Sequence, residues 1–149
     1  MSKLGVFPIA VLMQRQRLQN RWLDECWHAN AVLAAAGTVR GHGLDAPVMN
    51  KAGAVDGYVV GGLELELFPD EDDGYFENWA APEPKVFILW RMECGRAVPV
   101  RASVSYAEGA RMLDSGESVD GVSMPREIYA WLGEYLRMHY RPPVKRGRH

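Results

Sequence analysis

Leucines at 63, 65 and 67 alternate with Glu64 and Glu66, a period of two that gives an extended strand one apolar face and one carboxylate face. Later the period changes. Ile128, Trp131, Leu132, Tyr135, Leu136 and His139 share one stripe of a helix, while Arg126, Glu127, Ala130, Glu134 and Arg137 take the other side. Ser123-Met124-Pro125 opens that helix with proline where no amide donor is needed, and Pro142-Pro143 ends it. One-sided strands and one-sided helices need a common burial surface. The pattern therefore implies an α+β chain, a small antiparallel β-sheet or partly open barrel packed with two C-terminal helices.

Other segments fill in that plan. Residues 6–13 (VFPIAVLM) read as a buried strand. Residues 22–33 are ambiguous, since alanines favour a helix while the Trp22/Trp27 spacing allows a strand, and the reading leans towards strand. Glycines at 37, 41, 43, 53 and 57 mark a long loop or insertion over 37–57. PDEDDG (69–74) is expected to turn and YFENWAA (75–81) to return as a hairpin strand. KVFILWRM (85–92) reads as a strand buried on both sides, followed after Gly95 by PVRASVSY (99–106) with Val100, Ala102 and Val104 on one face. Ser105 and Glu108 have capping-box spacing ahead of a helix over 107–114, which Ser115-Gly116 stops. A polar loop then leads to the last helix. The expected core is Leu63, Leu65, Leu67, Phe87, Leu89, Val100, Val104, Ile128, Leu132 and Leu136.

With 149 residues, 48% of them hydrophobic, and a net charge of -2, the chain suits one ordinary domain and neither disorder nor a polyelectrolyte. The division expected is a domain over 1–141, containing the 37–57 insertion, and a basic tail over 142–149. Cys26 and Cys94 lie outside any CxxC spacing, which points to two free thiols and a cytoplasmic setting. The apolar N-terminal run is broken by Pro8 and followed by Gln14-Arg15-Gln16-Arg17 where a signal peptide would have small residues. No stretch reaches the ~20 apolar residues that span a bilayer.

Residue chemistry names no catalytic group. Asp70, Glu71, Asp72 and Asp73 lack the alternation of a calcium loop and read as a solvated turn, so no metal and no cofactor is expected. His28, His42, His139 and His149 form no paired spacing, and His139 reads as a packed or cap-proximal histidine. The serines occupy no nucleophile elbow, neither cysteine has a recognisable activating neighbour, and Gly41-His42-Gly43 and Gly61-Gly62 are not phosphate loops. Arg15, Arg17 and Arg21 beside Trp22, with Lys145, Arg146 and Arg148 in the tail, could grip phosphates, although such clusters are more often solvated faces or docking rims. Asp114, Glu117 and Asp120 place three carboxylates in a short linker, either as charge for a partner or, for Glu117 and Asp120, as ties to the loop backbone. Together these ten residues are the expected partner-binding set.

From residue 63 on, the chain resembles a bacterial family known as domain of unknown function 3305. The resemblance rests on the leucine–glutamate strand, Gly74-Tyr75, Pro82-Glu83-Pro84, Trp90-Arg91, Val104-Ser105-Tyr106, Asp114-Ser115-Gly116-Glu117, Val119-Asp120-Gly121-Val122, Met124-Pro125 and His139-Tyr140-Arg141-Pro142. A weaker likeness covers PIAVLMQRQR and the Trp22/Trp27 pair. The 37–57 insertion is longer than the family pattern, and nothing is carried onto it. The family has no established activity. Its genes tend to lie beside those of molybdenum-dependent formate dehydrogenases and their maturation factors. The resemblance thus implies an accessory or interaction module with no chemistry of its own and a protein partner in such an assembly. Two other classes are weighed against it: a small ligand-binding barrel or uncatalogued enzyme, and a nucleic-acid-binding module.

Overall fold

The computed structural model describes residues 3–20, 23–34 and 46–141, with the side chains at 17–20 and 23–25 left aside. In chain order the elements are β1 (Gly5–Asn20), β2 (Leu23–Ala34), β3 (Ala46–Met49), β4 (Val55–Leu67), a 3-10 turn (Pro69–Glu71) and α1 (Asp72–Trp79). Then come β5 (Lys85–Glu93), β6 (Arg96–Ser103), α2 (Tyr106–Asp114), β7 (Ser118–Ser123) and α3 (Arg126–His139). The strands form two antiparallel sheets, β2-β1-β4-β3 and β6-β5-β7. β6 runs beside β4 and β7 runs beside β2, so the sheets meet along two margins. The architecture is α+β.

One core joins both sheets to the helices. Ile9, Val11, Met13, Leu65 and Leu67 from the larger sheet meet Val86, Ile88 and Ala97 from the smaller, with Ile128 and Leu132 of α3. β4 keeps the expected alternation, with Leu65 and Leu67 fully buried and Glu64 exposed. β5 is covered on both faces near its start. Val86 and Ile88 enter the shared core, while Phe87 turns the other way and meets Tyr106 of α2 ring to ring at 5.8 Å. The core face of β5 is thus one residue out of phase with the expected Phe87 and Leu89, although Leu89 is buried too. Pro8 lies inside β1 opposite Glu64 of β4, and among the described residues no β2 residue pairs with it.

Several expectations are corrected. Residues 75–81 are not a hairpin strand: α1 carries Tyr75 to Trp79. Pro69 sits in the first turn of the preceding 3-10 helix, and Asp70 to Asp73 complement the positive end of the helical segment. Asn78, wholly buried in α1, donates through Nδ2 to the carbonyls of Lys85 (2.7 Å) and Val104 (2.8 Å), and its Oδ1 accepts from the Lys85 amide (2.9 Å). The expected 37–57 loop contains β3 and the start of β4. The polar loop before α3 contains β7, which pairs with β5 from Lys85–Ser123 to Trp90–Ser118. Val100 is 42% exposed, not core, because Leu89 pairs with Arg101 and Trp90 with Pro99, which leaves Val100 as the extra residue of a bulge.

Residues 23–33 of the ambiguous segment are strand, with Trp22 outside the described residues, and the helix expected over 107–114 forms as α2. Only half of its capping box does. Ser105 Oγ accepts from the Glu108 amide at 3.1 Å, but the Glu108 carboxylate pairs with Arg101, and the Ser105 amide donates to Ser103 Oγ. Both cysteines are free thiols. Among the described residues no helix is long and apolar enough to cross a membrane, which says nothing of strands.

Candidate functional site

β4 and β6 flank an open groove of about 460 Å³. Two bulges build it. In β4, Gly61 and Gly62 fall between the pairs Leu63–Ile9 and Val60–Val11, and Gly62 takes φ +93°, a conformation glycine tolerates. Across the groove stands the Val100 bulge of β6. Bulges bend their strands and interrupt pairing. β3 pairs with β4 only from Val55 to Val59, and β5 is the only ladder partner of β6 among the described residues. Among the described residues, then, β4 from Val60 to Leu65 and β6 each present an edge with no strand partner to the groove, while beyond Leu65 the Glu66 carbonyl accepts from the Tyr75 hydroxyl at 3.3 Å.

The groove walls are mixed. Leu63, Phe68, Pro99, Val100 and Ala102 supply apolar surface, and Glu64, Glu66, Arg101 and Glu108 supply charge. Arg101 pairs with Glu108, and Lys3 pairs with Glu66 at 2.8 Å, an interaction that raises the Lys3 pKa. Arg96 lies over the Tyr58 ring at 4.3 Å, where the two strands come together.

The opposite margin is closed by one carboxylate. Asp120 Oδ2 on β7 accepts from Trp90 Nε1 of β5 at 2.8 Å and from the Ala29 amide of β2 at 2.8 Å. Its Oδ1 lies 3.5 Å from His28 Nδ1, and His28 Nε2 lies 3.2 Å from Cys26 Sγ. Cys26 and His28, two apart on β2, project from the same side of the strand. That spacing was the available signal for a thiol–imidazole pair. Asp120, 92 positions after His28 by residue number (120 − 28), gave none.

The family model described as "Protein of unknown function (DUF3305)" matches residues 8–149. The chain belongs to this family. The DUF3305 match takes in both sheets and all three described α-helices, well beyond the stretch from residue 63 that carries the resemblance. No curated protein and no solved structure matches the chain.

Within this DUF3305 chain the expected partner-binding residues are scattered. Arg15 donates to the Val55 carbonyl at 2.7 Å and lies 5.9 Å from the centre of the Trp27 ring. Asp114 is exposed at the end of α2. Glu117 is half-buried and forms two bonds of 3.2 Å with Arg91, which raise the Arg91 pKa. Asp120 is engaged within the fold by the Ala29 amide of β2 and the Trp90 indole of β5. The Arg17 side chain, Arg21, Trp22, Lys145, Arg146 and Arg148 lie outside the described residues. The acidic run is occupied internally: Glu71 accepts from Ser105 Oγ at 2.7 Å, and Asp72 accepts from the Tyr135 hydroxyl at 2.6 Å. Among the described residues no group of three or more His, Cys, Asp or Glu side chains is placed to hold a metal ion. His139 sits beside Tyr135 in the last turn of α3, its ring centre 4.7 Å away, and stays exposed.

Proposed function

We propose that this protein is an accessory interaction module whose β4–β6 groove receives an extended segment of a protein partner. The observation that carries the reading is the pair of strand edges facing one groove. An exposed edge offers unpaired backbone groups to an incoming strand, and flanking pockets choose its side chains. Val100 and Leu63 would meet apolar side chains of the segment, while Glu64 and Arg101 would set its register through charge. Asp114 and the arginines near both ends complete the proposed docking set.

The partner we propose is a molybdenum-dependent formate dehydrogenase-type oxidoreductase or one of its maturation factors, on the strength of the gene neighbourhood the family resemblance implies. In that role the protein assists assembly in the cytoplasm and contributes no catalytic step. Affinity capture from the native host with mass spectrometry tests the assignment. A formate dehydrogenase subunit or maturation factor should be recovered, and Val100→Asp, placed on an exposed bulge, should lose it without lowering Tm. Recovery of neither class of protein, or recovery unchanged by Val100→Asp, contradicts the reading.

A further inference from the structure

We propose that Cys26 is a thiol-exchange site, with His28 as its proton acceptor and Asp120 as the positioning residue, and that it forms mixed disulfides with low-molecular-mass disulfides. The geometry is a chain of three groups. Cys26 Sγ lies 3.2 Å from His28 Nε2, and its other polar neighbour, the Trp27 carbonyl, is farther at 3.9 Å. His28 Nδ1 faces Asp120 Oδ1 at 3.5 Å, which favours the tautomer with hydrogen on Nδ1 and leaves Nε2 free to accept. Asp120 cannot swing away, since its other oxygen is held by Trp90 Nε1 and by the Ala29 amide. A nucleophile beside a base, with the base oriented by a third group, is the arrangement that activates a thiol. Access is also present: Cys26 is half-buried and the His28 side chain is 43% exposed.

Thiol–disulfide exchange asks little more of a site than an attacking sulfur and a place for its proton. Cys26 Sγ attacks one sulfur of the incoming disulfide as His28 Nε2 takes the thiol proton. The new S–S bond forms while the old one breaks, and the departing thiolate leaves with the electron pair and collects a proton from His28. Cys26 is oxidised to a mixed disulfide and half of the small disulfide is reduced to a thiol, so the step balances without another reagent.

Cys94 supplies an internal control, being more exposed and placed in the β5–β6 turn away from any described histidine contact. The full chain is treated with oxidised glutathione at pH 7, and adduct formation at each cysteine is followed by peptide mass spectrometry. Cys26 should react about ten-fold faster than Cys94 despite its lower exposure, and His28→Gln should remove that advantage while leaving the Cys94 rate unchanged. Asp120→Asn should slow Cys26 by a smaller factor. A Cys26 rate equal to or below that of Cys94 in the unaltered chain overturns the proposal, as does a ratio that His28→Gln leaves in place. If His28→Gln instead loosened the fold, the Cys26 rate would rise with exposure; the ratio in the unaltered chain then decides.

Discussion

Asp120 and Trp90 are joined by a 2.8 Å hydrogen bond from the indole N–H to Oδ2, and the same oxygen accepts the Ala29 amide of the other sheet. A single carboxylate therefore holds β7, β5 and β2 in one clasp. Truncation to Ala strands two donors, each costing about 1–3 kcal/mol where water cannot reach. Asp120→Ala is expected to lose about 2–4 kcal/mol in urea unfolding, and Asp120→Asn, which keeps an acceptor, about half as much. Equal stability of both variants and the parent would show that the margin is held by apolar packing alone.

Asn78 makes a comparable tie inside the core. Its amide satisfies both backbone groups of Lys85 and the carbonyl of Val104, and no smaller residue can replace those bonds. Asn78→Ala should cost about 3 kcal/mol or more, and Asn78→Asp should fail as well because a carboxylate cannot donate to two carbonyls. A Tm drop of only a degree or two for Asn78→Ala would contradict the assignment.

The β5–β6 turn consists of Cys94 and Gly95 with φ of 52° and 84°. Two consecutive positive values are the signature of a type I′ hairpin, where Asn-Gly is the favoured pair. Cys94→Asn should therefore raise stability by about 0.5 kcal/mol, since asparagine tolerates the left-handed region better than cysteine. Thermal unfolding under reducing conditions checks the sign, and a clear fall in Tm would rule the turn type out.

Two phenols make stability depend on alkaline pH. Burial raises the pKa of Tyr75, which is 1% exposed, and burial together with the hydrogen bond to Asp72 raises that of Tyr135, both from the ordinary 10.0. The native state thus holds protons that the unfolded chain has released. Stability from these groups is complete below pH 10 and declines as pH rises through that value, each phenol adding a slope of about 1.4 kcal/mol per pH unit. Tyr135→Phe should make the alkaline limb shallower while costing about 1 kcal/mol at pH 7 through the lost bond to Asp72. Unchanged stability between pH 9 and 11.5 would contradict the burial of both hydroxyls.

Much of the fold was legible wherever hydrophobic periodicity was strong. Leu65, Leu67, Ile128, Leu132 and Leu136 are all in the core as the pattern required. Legibility failed where local chemistry competed. The acidic residues before Tyr75 suit both a turn and a helix start, and the choice rested on Asn78 finding partners at Lys85 and Val104, a tertiary fact. Val100 had the correct parity for burial, yet a bulge set by the pairing of Trp90 with Pro99 turned it outward. The groove was invisible for the same reason, being made by two bulges on strands brought side by side only in the fold. Of the Cys26–His28–Asp120 row, only the first pair could have been noticed in sequence.

The central claim is that an extended partner segment pairs with the groove-facing edges of β4 and β6. Hydrogen exchange on the complex recovered by affinity capture tests it most directly, because strand addition protects backbone amides whatever side chains are involved. Amides of residues 62–66, 98 and 100–102 should exchange at least ten-fold more slowly in the complex than in the free protein, with Val100→Asp abolishing the change. Slowed exchange confined to other surfaces, with these two stretches unaltered in a stable complex, would contradict the account.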